Sequence, residues 1–267
     1  MKKIIIAFIC MALFSACHQS KPDIVKDYID VTNSYDTDKK SQFLSEDFMY
    51  YGTDTLNKHD YLNVDSSAHF EYFEQKSTIL NIQDLDSIVK TEEKITTIVD
   101  SLLEITPYIL KMTYRFSDDK LKSITVDSIL NGEEYLKAFE EKWAPCYFYI
   151  QDQYDIQEEE LYKNIKKYLT EYITLPVSER KQYSTYAHLQ GAFTSNDCHL
   201  YKALIFRGKK TVTIIDGFFG FPFATSYEVD ENYIRIRTDK SDLLFEIKDS
   251  ETLIGEGFAH GTFTKSN

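Results

Sequence analysis

The chain has 267 residues and a formal net charge of −13, with 20 Tyr and 18 Phe against only 9 Gly and 5 Pro. So acidic a chain, with no compensating basic cluster, repels phosphate backbones and argues against a nucleic-acid partner. The scarcity of Gly and Pro excludes a disordered or low-complexity chain. The length suits two modest domains, and the aromatic loading suits half-buried β-sheets.

Residues 1–16, MKKIIIAFICMALFSA, have the layout of a secretory signal. Lys2 and Lys3 precede an unbroken apolar run, and the small pair Ser15-Ala16 closes it. The run is shorter than the roughly 20 apolar residues a membrane-spanning helix needs. Phe14-Ser15-Ala16-Cys17, with Leu13 one place further back, resembles the lipobox of bacterial lipoproteins, although Phe14 stands where an aliphatic residue is usual. That resemblance implies cleavage before Cys17, lipidation of Cys17 and anchorage to a membrane. It also implies residence in the cell envelope of a Gram-negative-type bacterium; the mixed HQSKPD that follows Cys17, without an acidic run, favours the outer membrane facing the periplasm over display on the cell surface. Cleavage by an ordinary signal peptidase, leaving a free secreted protein, stays open. Residues 17–21 then form a tether.

Cys146 and Cys198 are the remaining cysteines of the mature chain. An oxidising envelope permits them to pair, and two free buried thiols are the alternative. No C-x-x-C and no metal-type His/Cys spacing occurs, so neither a metal nor another cofactor is expected.

A first domain is expected over residues 22–150. Ile24, Tyr28 and Val31 recur at helical spacing, KKSQFLSEDF reads as a second helix, FMYYG as a brief strand, and residues 59–74 as a third helix. STILNIQDLDSIV, EKITTIVDSLLEI, YILKMTYRF and KLKSITVDSI read as strands. In YILKMTYRF, Leu110, Met112, Tyr114 and Phe116 alternate with Ile109, Lys111, Thr113 and Arg115. Ser117-Asp118-Asp119-Lys120 supplies a turn into the next strand. Helices followed by a meandering sheet predict an α+β unit, a helix-covered curved antiparallel sheet shaped as a cone.

Residues 27–52, DYIDVTNSYDTDKKSQFLSEDFMYYG, and the hairpin YRFSDDKLKSI resemble the nuclear transport factor 2-like fold of ketosteroid isomerases and polyketide cyclases. The resemblance places Tyr28 at the family's oxyanion-binding tyrosine. It places Gly52 at the isomerase's aspartate base, and a glycine moves no proton. Asp47 and Asp54 are the nearest substitutes. Candidate ligand contacts in this domain are Tyr28, Tyr51, His59, His69 and Tyr114, each with a packing or surface role as its alternative.

Residues 151–185 read as a helical connector in which Leu161, Ile165 and Leu169 form an apolar face. NGEEYLKAFEEKW, just before it, also reads as a helix. Residues 186–267 read as β throughout, with six strand-like runs separated by the compact turns RGK, DEN, DKSD and DSET. This predicts an all-β meander barrel or half-barrel, and the domain resembles the small lipocalin-like β-domains of bacterial envelope proteins. The segment GFFGFPF breaks the pattern. Phe218, Phe219 and Phe221 either plug one end of the barrel, the expected role, or form an exposed patch for a ligand, a partner or lipid.

No Ser/His/Asp set with a local motif and no phosphate-cradling glycine loop is present. The sequence therefore favours a non-enzymatic binding lipoprotein for a small apolar or carbohydrate ligand or an envelope partner. A structural or interaction module without a cavity is the second reading. An isomerase- or cyclase-type enzyme with Tyr28 as polarising donor is the third.

Overall fold

The computed structural model describes residues 19–65, 69–154, 156–239 and 241–266. The signal-like segment and Cys17 lie outside the described residues. The chain divides into two compact units, one running through Phe139 and including Tyr162–Lys166, the other comprising Glu140–Leu161 and Lys167 onward. The sequence expectation had set the boundary near residue 150.

The first unit opens with α1 (Lys21–Asn33), where the Ser20 side chain accepts the Asp23 N–H at 3.3 Å and Pro22 occupies the first turn. Its buried stripe is Ile24, Val25, Tyr28 and Ile29. Asp36 caps α2 (Thr37–Phe43) by accepting the Lys39 N–H at 2.9 Å. The second predicted helix ends there, earlier than expected, because Leu44 turns extended and starts β1 (Leu44–Tyr51). β2 (Thr55–Asn57) folds back onto β1. Within the predicted third helix, the described residues form α3 (Lys58–Asp65) and α4 (His69–Tyr72).

STILNIQDLDSIV is not one strand but most of a hairpin of β3 (Lys76–Asp84) and β4 (Ile88–Thr96), turning at Asp86 with φ +65°. EKITTIVDSLLEI leaves the sheet after Thr96 and becomes α5 (Ile98–Leu103). The cause is a capping box. Thr97 Oγ1 accepts the Asp100 N–H at 3.1 Å, and the Asp100 carboxylate accepts the Thr97 N–H at 2.7 Å. This local signal outweighs the β-branched composition of the run. β5 (Ile109–Ser117) and β6 (Lys120–Leu130) form the predicted hairpin, with Asp118 at φ +54° in its turn.

The strand order is β2-β1-β6-β5-β4-β3. β1 runs parallel to β6 and the other neighbours are antiparallel, so the curved sheet is mixed rather than wholly antiparallel. Val25 and Tyr28 of α1 pack with Leu44, Phe48, Val89, Met112, Tyr114 and Leu121 of the sheet. The architecture is α+β, helices on a curved sheet.

The helix α6 (Gly132–Gln153) passes from the first unit into the second. It is followed by α7 (Glu158–Lys163), α8 (Ile165–Thr174) and α9 (Val177–Leu189). The expected apolar face is real, since Leu161, Ile165 and Leu169 are all buried. Then β7 (Gly191–Thr194), β8 (Tyr201–Arg207), β9 (Thr211–Asp216), β10 (Pro222–Asp230), β11 (Tyr233–Ile236), β12 (Leu243–Ile247), β13 (Thr252–Gly255) and β14 (Gly261–Ser266) close into an antiparallel meander barrel. β14 pairs with β7 to complete it.

Phe193, Phe206, Phe245 and Phe263 fill the barrel. GFFGFPF does not plug it. Phe218, Phe219 and Phe221 are 71%, 79% and 67% exposed. Other phenylalanines already occupy the interior, and the Asp216 carboxylate accepts the N–H groups of Phe218, Phe219 and Phe221, folding the segment into a turn of its own.

Cys146 and Cys198 both fall in the second unit and are free and buried; no bridge joins them. Burial pushes the Cys146 thiol up to about 12, so at neutral pH it is a packing group and not a nucleophile. No described helix is long and apolar enough to cross a membrane.

Candidate functional site

The alternation along β4 sets the chemistry of the first unit. Val89, Thr91, Glu93 and Ile95 share its covered face, which brings a carboxylate and a hydroxyl into an otherwise apolar core. Glu93 is buried and fully engaged. Tyr114 donates to Oε1 at 2.6 Å, Ser77 donates to Oε2 at 2.7 Å, and the Thr91 hydroxyl donates to Oε1 as well. The Tyr114 phenol is raised well above the ordinary tyrosine range by burial and by the Glu93 charge.

A second polar group lies beside it. The Tyr28 and Tyr61 hydroxyls are 2.6 Å apart, and the Tyr28 ring meets Tyr114 edge-on at 6.2 Å. The buried ammonium of Lys40 sits 4.4 Å from the Tyr61 ring centroid and 5.6 Å from that of Tyr28, an arrangement that stabilises a desolvated cation. Tyr50 of β1 stacks on Tyr61 with centroids 5.0 Å apart. Burial pushes the Tyr50 phenol up to about 12, helped by Tyr61, Tyr108 and Glu93.

Tyr50 also forms one edge of a cavity of roughly 310 Å³. Leu110, Val126, Ile129 and Leu136 are its apolar walls, and Tyr108 and Tyr135 complete the phenol edges. The Tyr135 hydroxyl donates to Asp100 at 3.0 Å and its ring meets Tyr108 at 4.8 Å. Burial, then the Asp100 charge, raises both Tyr108 and Tyr135. All three phenols therefore remain neutral at physiological pH and face the cavity as hydrogen-bonding groups. The volume lies at the small end of the range for ligand clefts, about 300–1,000 Å³.

The residues anticipated from sequence divide sharply. Tyr28 and Tyr114 come together in the core. Tyr51 does not: it points away from the covered face and is exposed, because Phe48 and Tyr50 share the other face of β1. His59 is an exposed residue of α3 bonded to Asn63 at 2.9 Å. The His69 side chain lies outside the described residues. Asp47 is exposed and held by Ser45 and Lys122, and Asp54 is exposed too, so neither supplies a base to the core. Gly52 has a packing reason: a side chain there would collide with the Tyr50 ring.

Glu93, Lys40, Tyr50, Tyr61, Tyr108 and Tyr135 were not anticipated. The signal for Glu93 was present. In IVKTEEKIT the odd-numbered positions carry Val89 and Ile95, so period two puts Thr91 and Glu93 on the apolar face. Among the described residues no group of three or more His, Cys, Asp or Glu side chains forms a metal-type cluster.

No family model matches the sequence, and no curated protein matches it. Solved structures do show likeness over part of the chain. An NTF2-like protein of unknown function from Cytophaga hutchinsonii is 13% identical over 45% of this chain and 98% of its own, with a TM-score of 0.37. A candidate polyketide cyclase from Sinorhizobium meliloti is 17% identical over 40% of this chain and 94% of its own, with a TM-score of 0.35. A candidate ketosteroid isomerase from Kribbella flavida is 13% identical over 38% and 72%, with a TM-score of 0.33. Identities this low carry nothing about activity, which resides in particular sites rather than in folds.

Proposed function

We propose that this chain is a lipid-anchored envelope protein whose first unit, of nuclear transport factor 2-like type, binds a small, flat, largely apolar ligand without transforming it. The observation that carries the binding reading is the cavity beside Tyr50, Tyr108 and Tyr135, which joins aliphatic walls to neutral phenols, of which Tyr50 and Tyr108 can donate to a carbonyl or ether oxygen while the Tyr135 proton is held by Asp100. The absence of turnover is inferred from Glu93, whose two oxygens already accept three hydroxyls. A base must reach the substrate proton.

Native mass spectrometry of the chain from His18 onward, purified from its own host, tests the binding. A defined extra mass is expected. Leu136→Asp, an exposed position on the cavity wall, is expected to abolish it, because an unpaired carboxylate against a bound apolar ligand costs about 2 kcal/mol or more. A bare wild-type mass, or a ligand retained by the variant, counts against the cavity.

The anchor rests on the lipobox-like segment. Cys17→Ser is expected to shift the protein from the membrane to the soluble fraction, and the wild type is expected to carry diacylglyceryl mass on its first mature residue. Membrane association that persists in the variant, with no lipid on the wild type, would reject anchoring.

Glu93 itself motivates a second reading, an isomerase-type reaction in which this carboxylate takes the proton and Tyr28 polarises the substrate. It requires the bound molecule to displace Ser77, Thr91 or Tyr114 from Glu93. Turnover of the ligand identified above, lost in Glu93→Gln, is the result that would establish it.

A further inference from the structure

We propose that the open end of the β-barrel is a binding site for neutral glycan chains. This belongs to the second unit and does not depend on the ligand proposed for the first. In a meander barrel alternate connections share an end, so the segments after β7, β9, β11 and β13 lie together. They enclose a cleft of roughly 680 Å³ lined by Tyr201, Phe223, Phe258, Thr225, Thr238 and Asp239, among others.

The aromatic groups here are held outward by well-braced turns. Phe258, 74% exposed, rides on the 3-10 turn Gly257–Ala259. Gly257 adopts φ +57°, Ala259 is fully buried, and its carbonyl abuts Gly255 so closely that no Cβ fits there. The neighbouring turn is anchored by Asp216, and its Gly217 lies against the His199 carbonyl with no room for a side chain. Phe218, Phe219 and Phe221 extend from that turn, and Phe219 and Phe221 lie 5.9 Å apart. A fold that braces two turns in order to leave phenylalanines in water presents a pre-organised apolar surface, and preorganisation lowers the entropic cost of binding.

The polar lining selects the ligand class. Thr225 donates its hydroxyl proton to the Arg237 carbonyl at 2.5 Å, and Thr238 donates to the Ser241 carbonyl while its oxygen accepts the Ser241 N–H at 3.2 Å. What the Thr225 oxygen offers to the cleft is acceptor capacity, and the Asp239 carboxylate is acceptor-only when ionised. The cleft thus asks for a molecule rich in hydroxyl donors with flat C–H faces to lie on aromatic rings, which is the chemistry of pyranose sugars. The acidic lining disfavours anionic ligands. It also disfavours insertion into a bilayer, where the Asp239 carboxylate would be stripped of water, whereas sugar hydroxyls satisfy it. The aromatic surface continues from the cleft onto the turn, which suits a chain of sugar units better than a single one.

The test uses the chain from His18 onward, which keeps every described residue, in native gels containing laminarin, xyloglucan, glucomannan, dextran or soluble starch. Retardation by at least one neutral polysaccharide is expected. Phe258→Ala and Phe223→Ala are each expected to weaken it about five- to tenfold, and Asp239→Asn about fivefold. Phe258 is exposed, so an unchanged melting temperature in Phe258→Ala separates lost binding from lost fold. No retardation across the panel overturns the proposal, as does retardation that Phe258→Ala leaves unchanged. Flotation with phosphatidylcholine vesicles, abolished by Phe218→Ser and Phe219→Ser and unaccompanied by polysaccharide retention, would overturn it in favour of a lipid surface.

Discussion

Glu93→Ala is expected to destabilise the first unit by about 3–5 kcal/mol, one of the largest effects of any single substitution outside the barrel core. The reason is the asymmetry between making a buried hydrogen bond and stranding its partners. Ser77, Thr91 and Tyr114 all donate to this one carboxylate, and Thr91 and Tyr114 are buried away from water while Ser77 is half-buried. Each of the two buried hydroxyls, Thr91 and Tyr114, costs about 1–3 kcal/mol when left without an acceptor. Glu93→Gln is expected to cost less, about 1–2 kcal/mol, because one oxygen still accepts while the new NH₂ loses the Ser77 bond. The measurement is hydrogen exchange across β3, β4 and β5 together with denaturant unfolding. Two units with separate cores can unfold in separate steps, so a single midpoint is an incomplete readout. Exchange that accelerates in residues 76–117 and not in the barrel is the expected pattern. A Glu93→Ala protein within about 1 kcal/mol of wild type would mean that the carboxylate does not organise this core.

Phe245→Ala is expected to cost the barrel about 3–5 kcal/mol. The ring is fully buried and meets Phe263 edge-on at 5.4 Å, and strands β11 and β13 flank it in register at Ile234 and Gly255. A barrel closed by hydrogen bonds on every side cannot collapse onto the vacated space, so the cavity term adds to the lost transfer energy. Phe258→Ala provides the internal contrast. It removes the same ring from an exposed turn, and its effect on stability is expected to stay within about 0.5 kcal/mol. Thermal unfolding with exchange read over residues 191–266 checks both. Equal losses in the two variants would contradict the assignment of Phe245 to the core and Phe258 to a binding surface.

Much of this fold was legible because its signals are local. The period-two runs of YILKMTYRF, KTVTIID and NYIRIRT became strands, and the turn SDDK became a hairpin. The apolar face of Leu161, Ile165 and Leu169 was also correctly read. Errors arose where two local signals competed. The β-branched run after Thr96 became helix because the Thr97–Asp100 capping box closes within three residues, before any partner strand is needed. The helix expected through Phe48 stopped at Phe43 because Leu44 and Phe48 complete the sheet's core, a gain visible only with β6 alongside.

The site was legible only in part. Tyr28 and Tyr114 were found because each sits in an apolar periodic pattern. Glu93 obeys the same pattern, but its type argues for the surface, and only the convergence of Ser77, Thr91 and Tyr114 makes its burial tolerable. Tyr50 and Tyr51 are neighbours in the chain, and alternation sends them to opposite faces without saying which face is covered.

By itself the sequence determined the acidic, aromatic, two-part character of the protein, its helix-then-sheet order and the barrel's hairpins. These follow from residue type and short-range periodicity, which act over a few positions. Only the tertiary structure decided that Glu93 is a core residue, that Tyr50 rather than Tyr51 meets the cavity, and that the phenylalanines of GFFGFPF face solvent. Each of those outcomes depends on which surface another part of the chain covers, and that is fixed by packing between residues far apart in sequence: an already filled barrel leaves no volume for four more rings.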